Sequence, residues 1–293
     1  MANEYIFLSP HLDDAVLSCG GLIARAVSLG HSVEVLTFYT KQVSATTLPP
    51  NRQRLATHEE RKEEDAAALG FLGATPIWLD YTERFFRPPW LQSILHIFET
   101  PQNAHLNEFD NTASIRQYLA ELCDKYHEAV FFVPLGVGNH YDHVELFLAS
   151  ITTAVEKGVL DRFVFYEDAY SLGTRMRRKH FVTKNVCWQW WQAPASRSIK
   201  WFFTSNRMAA HIKGKPLMEY LPQHYQNLKW SVKVKPIHGF EGKKLSAISK
   251  YKTQVKVLGG ITMLSRLIRS YHRFWGDAEP YWVASNNILS SER

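Results

Sequence analysis

The chain has 293 residues, 45% of them hydrophobic and 13% aromatic, enough for one large core or two small ones. No apolar run reaches eighteen residues, which argues against a transmembrane helix, and the opening Met1-Ala2-Asn3-Glu4 lacks the basic and apolar regions of a signal peptide. The three cysteines, Cys19, Cys123 and Cys187, are odd in number and far apart, so neither a disulfide framework nor a CxxC metal pair is read, and a cytoplasmic protein with free thiols is expected.

In chain order, Tyr5-Ile6-Phe7-Leu8 is a compact strand, followed by Val16, Gly20, Ile23, Ala24 and Val27 at helical spacing. His31 to Phe38 reads as a second strand, Leu55 to Leu69 as a charged helix ended by Gly70, and Pro76 to Leu79 as a third strand. Residues 84–110 are irregular, rich in Pro, Asn and aromatics, and suit a substrate lid. Ile115, Tyr118, Leu119, Leu122 and Tyr126 mark a helix, Ala129 to Pro134 a buried strand, Val144 to Val155 the next helix, and Phe163 to Tyr166 the fifth strand. Further on, Trp188, Trp190, Trp191, Trp201, Phe202 and Phe203 crowd a segment compatible with a hairpin, and Ser246–Val257 and Ile261–Trp275 read as helices.

Strand–helix alternation predicts an α/β fold. It is a Rossmann-like, mostly parallel sheet with helices on both faces, plus a C-terminal extension of strands and helices. In the order 3-2-1-4-5, strands one and four are neighbours at the switch point, where ligands bind beyond the carboxyl ends of the strands. The net charge of +6 conceals a division. Residues 1–172 balance to −11, whereas residues 173–293 balance to +17. The expected organisation is a catalytic core over 1–172 and a basic portion over 173–293 packed on it as one continuous domain. The asymmetry means either two faces that attract each other or an anionic ligand held over the second half.

The segments after strands one and four carry the chemistry. In Ser9-Pro10-His11-Leu12-Asp13-Asp14, two adjacent carboxylates beside an imidazole are costly unless something positive sits among them. A helix N-terminus contributes part of that field, and a divalent metal far more. For Asp14 alone, helix capping is the simpler reading. Gly136-Val137-Gly138-Asn139-His140-Tyr141-Asp142-His143 places two histidines three apart as the chain enters a helix, with glycines that allow close approach of a ligand. Two imidazoles and one carboxylate with an open fourth position fit catalytic zinc, which acidifies water to a pKa of about 7 and polarises a carbonyl.

The P-H-x-D-D segment at Pro10–Asp14 and the H-x-D-H segment at His140–His143 resemble those of the PIG-L/LmbE-like de-N-acetylase family. Arg61, Tyr166-Glu167-Asp168 and Tyr251-Lys252-Thr253-Gln254 add weaker similarity. The resemblance implies one zinc per chain, or Fe2+ or another divalent ion, held by His11, Asp14 and His143. It implies Asp13 as general base, His140 as oxyanion stabiliser or proton donor to the leaving amine, and Asp142 orienting His140. It also implies Arg61 contacting a hydroxyl or phosphate of the substrate, against the alternative of a solvated charge. The implied reaction removes acetyl from an N-acetylglucosamine-type sugar on a larger conjugate, with an anionic carrier suggested by the basic half. Leu12, Ala15 and Tyr141 stand where the family commonly has Pro, Glu and Pro.

Two other classes compete. The basic, aromatic second half would suit nucleic acid, but no such motif appears, and none is expected to bind. Leu264, Leu267, Ile268, Tyr271, Phe274 and Trp275, with Arg266, Arg269 and Arg273, would suit weak contact with a membrane surface, a docked helix being the simpler reading. A metal amidase on a non-sugar substrate and a homo-oligomer are both compatible with the sequence.

Overall fold

A computed structural model describes residues 3–44, 46, 48–49, 58–102, 106, 109–186, 188–189 and 191–285. Five apolar runs form the expected strands: β1 (Glu4–Ser9), β2 (Ser32–Thr37), β3 (Thr75–Trp78), β4 (Val130–Pro134) and β5 (Phe163–Tyr166). They lie parallel in the order β3-β2-β1-β4-β5. Between them run α1 (Asp14–Ser28), α2 (His58–Leu72), α3 (Thr112–Lys125) and α4 (Tyr141–Glu156). Side chains alternate across each strand, so the sheet feeds two cores. Ile6 and Leu8 pack with Leu119 and Phe147 of α3 and α4, while Phe7 packs with Val16, Ile23 and Leu69 of α1 and α2. Tyr5 pairs with Val130 and Phe7 with Phe132, so the segments after β1 and β4 open onto one crevice.

Beyond β5 come α5 (Thr174–Lys179), α6 (Ile199–Ala210), α7 (Gln223–Gln226), β6 (Lys229–Pro236), α8 (Glu241–Ile248), α9 (Lys252–Val257), α10 (Ile261–Phe274) and β7 (Ala278–Ser285). β7 pairs antiparallel with β5, and β6 with β7, giving a seven-stranded sheet shared by residues on both sides of position 172. β6 is an edge strand whose exposed lysines oppose strand addition.

Several expected elements differ. The described residues of the Trp-rich segment form no hairpin; Trp201 to Phe203 lie on α6, with Trp188 buried against Tyr271 and Phe274 (Trp190 lies outside the described residues). Gly70 does not end α2, which runs to Leu72 before Gly73 turns at φ +84° (residues 55–57 lie outside the described residues). Ser246–Val257 is broken between α8 and α9, where the Tyr251 side chain turns inward and donates to Asp65. Residues 84–98 hold two 3-10 turns, Arg84–Phe86 and Ile94–Phe98.

One buried ion pair ties β7 to α1 and α8. Glu279 accepts from Lys244 Nζ at 2.7 Å and from the amides of Gly21 and Leu22 at 3.1 and 2.7 Å. Burial alone would raise its carboxyl, but the charges of Lys244 and His272 outweigh it and hold the pKa at about 2 against an ordinary 4.5. A depressed carboxyl stabilises the fold above its unfolded pKa and loses that contribution as pH falls through the folded one. Wild type should therefore lose about 3 kcal/mol between pH 4.5 and 2 from this residue. Glu279→Gln should be less stable by about 3–5 kcal/mol at pH 7, because Lys244 is left buried without its counter-charge. Urea unfolding of both proteins from pH 2 to 7 should show their curves converging in acid.

Candidate metal centre

The turn after β1 brings three potential ligands together. Asp13 occupies the position before α1 with φ +138°, a conformation unfavourable for a residue with a Cβ, and its side chain makes no capping bond. Asp14 does not cap the helix either. Its Oδ2 accepts from the His11 amide at 3.0 Å and lies 3.0 Å from His11 Nδ1 and 3.1 Å from His143 Nε2. Candidate ligand atoms of His11, Asp14 and His143 all fall within 4.8 Å of one another, so these three side chains could hold one metal ion. His143 Nε2 is buried, and the Asp14 carboxylate, 3.1 Å away, is the group it faces. A shared cation fits such a ring nitrogen.

The outer nitrogens of the same histidines are also occupied by carboxylates. His11 Nε2 lies 3.1 Å from Asp142 Oδ2, and His143 Nδ1 lies 2.5 Å from Asp168 Oδ1. Carboxylate–histidine pairs of this kind orient metal-binding imidazoles and raise their basicity. His11, His140 and Asp142 form a second close set. Asp142, however, is already committed. It accepts from the Arg84 amide at 3.0 Å and from Arg87 Nη2 at 2.7 Å, and Arg87 also meets Asp110 at 2.9 Å. Asp142 was expected to orient His140. Its carboxylate lies against His11, and its amide donates to His140 Nδ1 at 3.3 Å.

Arg61 is buried, which excludes a solvated charge. Arg61, Glu64, Asp65, Ala68, Leu69 and Leu72 recur at helical spacing on the inner face of α2. Residues 251–254 dock on the polar part of that face. Tyr251 donates to Asp65 at 2.7 Å, and the Thr253 hydroxyl to Glu64 at 2.7 Å. With its amide oxygen turned inward, Gln254 accepts from Arg61 Nε at 2.9 Å. Glu83 accepts from Arg61 Nη1 at 2.9 Å. Glu167, in contrast, is structural: it accepts from Arg177, from Tyr271 at 2.7 Å and from Trp282 at 3.0 Å. The close backbone approach at Gly138 is to protein rather than to a ligand, since a Cβ there would stand 2.7 Å from Tyr170. The Tyr170 ring stacks against His140 at 6.1 Å.

Charge follows this geometry. Burial and the neighbouring Asp14 push the Asp13 carboxyl well above the usual range, with Arg61 and His11 opposing them. Burial would also raise Asp14, but His143 and His11 outweigh it and hold it well below. His143 rises to about 9 despite burial, through Asp14 and Asp168. His140 falls to about 3 through burial and the nearby charges of His11 and His143.

His11, Asp13, Asp14, Arg61, His140 and Asp142 line a cleft of about 430 Å3. A histidine–carboxylate set gathered at the switch point of an α/β sheet lies where ligands bind in such folds and could hold a metal ion. The model of the PIG-L family, described as GlcNAc-PI de-N-acetylase, matches residues 6–154, just over half of the chain, and the chain belongs to that family. A 2'-N-acetylparomamine deacetylase of Streptomyces fradiae is 28% identical over 173 residues, 58% of either protein, so the chain spans less than two thirds of that relative. Among solved structures, a deacetylase of the teicoplanin biosynthesis pathway aligns with TM-score 0.69 at 19% identity, covering 98% of this chain and 100% of that one. A zinc-inhibited form of a teicoplanin deacetylase aligns with TM-score 0.67 at 20% identity over the same shares. At these identities the structures show a shared fold, here a mostly parallel seven-stranded sheet with helices. Among the described residues no helix is long and apolar enough to cross a membrane.

Proposed function

We propose that this protein is a metal-dependent hydrolase that removes the acetyl group from an N-acetylated amino sugar on a larger conjugate. The observation that carries this reading is the convergence of His11, Asp14 and His143 on one point, each histidine backed by its own carboxylate. The family description and the Streptomyces fradiae relative both name an acetylated amino compound, which supports the substrate class. In this reading the three residues hold one zinc ion, with Fe2+ as the alternative. The bound ion supplies Lewis-acid polarisation of the acetamide carbonyl and acidifies the attacking water.

The chain's own groups do the rest. Asp13, its carboxyl pushed well above the usual range by burial and Asp14, takes the proton of the attacking water. The proton it gains passes to the leaving amine as the C–N bond breaks, giving acetate and the free amine. His140 is neutral at pH 7, and its Nδ1 already accepts from Asp142 N, so the ring proton sits on Nε2. A neutral imidazole so fixed donates a hydrogen bond to the developing oxyanion. Arg61, gripped by Glu83 and Gln254, presents its remaining donor capacity to a substrate hydroxyl. Cys19 and Cys123 are free and buried, which supports a reducing, cytoplasmic setting. We also take residues 1–172 and 173–293 as one working unit, since they share the sheet and the cleft.

Acetate release from a panel of N-acetylglucosamine conjugates, with metal analysis of the same preparations, tests the proposal. Activity should vanish on chelation and return with stoichiometric ion. Protein shown to be metal-free yet fully active overturns it. His140→Ala should retain its metal and lose about 10²–10³-fold in kcat with little change in KM. Loss of metal in that variant would place His140 among the ligands instead.

A further inference from the structure

The basic second half was expected to present cations to an anionic ligand. Among its described lysines and arginines, Lys256 lines the cleft at the metal centre, whereas Lys179, Lys184 and Lys215 line a second cavity of about 290 Å3. The two cavities share no lining residue. They are neighbours in the chain at the loop between β4 and α4, where Asn139 lines the second and His140 the first. Gly136 and Gly138 of that loop also line the second cavity.

No aspartate or glutamate lines this second cavity. Lys179, at the end of α5, donates to the Ala209 carbonyl at 2.7 Å, and an ammonium has three donors to offer. Burial and the neighbouring Arg175 hold its ammonium below the usual lysine range, so the surroundings oppose its charge rather than balance it. The backbone adds further donors. Gly136, Gly138 and Asn139 have φ of +79°, +95° and +60°, and turns of this kind gather amide N–H groups into concavities that bind anions. The Val137 amide donates to Asp168 at 2.8 Å and the Asn139 amide to the Gly136 carbonyl at 3.1 Å. Among the described residues, the Gly136 and Gly138 amides donate to no protein group.

His180 joins the lysine-bearing stretch to this loop. Burial holds it neutral, at about 3, and its Nε2 donates at 3.1 Å to the carbonyl of Leu135, the residue before Gly136. Its Nδ1 accepts from the amides of Val182 and Thr183 at 3.4 Å. The imidazole therefore positions the wall, and the cations come from the lysines. Arginine, whose planar fork grips a carboxylate through paired bonds, is absent from the lining. Lysine serves phosphate as a point charge, and backbone amides complement it.

We propose that this cavity is a separate anion site, which binds a phosphate group, free or carried on a small ester, through Lys179, Lys184, Lys215 and the amides of the 136–139 loop. The site is independent of the deacetylase reading and of the metal ion.

Calorimetric titration of the metal-loaded protein with inorganic phosphate and with glycerol 3-phosphate tests this, and is repeated after chelation of the ion. Binding should persist without the metal. Lys179→Gln combined with Lys184→Gln, both at exposed positions that folding tolerates, should raise the dissociation constant about tenfold or more. Lys233→Gln combined with Lys235→Gln removes the same charge from the edge strand β6 and should leave the constant unchanged. Equal weakening by the two pairs overturns the proposal, since it would show only the general attraction of a basic protein for anions. Binding that disappears with the metal also overturns it, by placing the phosphate on the ion, and so does failure of both probes to bind at millimolar concentration. Tighter binding of glycerol 3-phosphate assigns the site to an ester, and tighter binding of inorganic phosphate to the free ion.

Discussion

Asp13→Asn is expected to lower kcat by about 10²–10⁴-fold while the protein keeps one metal ion per chain. Asn removes the proton acceptor and little else. It preserves the shape of the side chain, and Asn tolerates positive φ better than most residues, so the turn at φ +138° survives the change. Asp13 is not one of the three side chains that could hold the ion, so His11, Asp14 and His143 remain to hold it. The backbone strain at Asp13 fits this role, because that conformation leaves the carboxylate lining the cleft instead of capping α1. Metal analysis alongside steady-state rates decides the matter. Near-normal turnover across the pH range would show that Asp13 is not the base.

His143→Ala should lose both the ion and turnover. With one of three ligands gone, the nucleophile would have to come from water with a pKa of 15.7 rather than about 7, so a fall of about 10³-fold or more is expected. The pH dependence of metal uptake gives a second readout. In the metal-free protein the His143 imidazole is held at about 9, so an incoming ion has to displace a proton at neutral pH. Apparent affinity should therefore rise with pH up to about 9, by as much as about tenfold per unit for this one proton. Chelator competition at pH 6, 7 and 8 measures the slope. Retention of stoichiometric metal by His143→Ala would remove His143 from the ligand set.

Much of the site was legible because its chemistry is local. His11, Asp13 and Asp14 sit within four residues, as do His140, Asp142 and His143, and each group directly follows an apolar run that could only be a buried strand. The partners of these residues were not legible. Arg87 lies in an irregular stretch with no periodicity, yet it fixes the carboxylate that supports His11. Asp168 stood out in the sequence only as an acidic residue after strand five; its pairing with His143 required the fold. For Arg61 the sequence left substrate contact and a solvated charge both open, because the inner face of α2 is itself partly polar and hydropathy does not mark it. β7 carries Glu279 inside and places Tyr281 and Val283 on its less buried face, so its sequence shows no polar–apolar alternation.

By itself the sequence determined the parallel order of β1 to β5, the switch point, and the two loops whose histidines and aspartates meet there. Hydrophobic periodicity and motif spacing are properties of neighbouring residues, and the handed connections of a parallel sheet leave few ways to arrange them. Only the tertiary structure decided which carboxylate backs which histidine and how Arg61 is held. It also decided that a half carrying a charge balance of +17 turns a mostly apolar surface to the cleft. Those outcomes depend on pairs far apart in the chain, such as His11 with Asp142 and Arg61 with Gln254. Net charge sums over every face of a segment, whereas a cleft sees only the face that packing turns toward it.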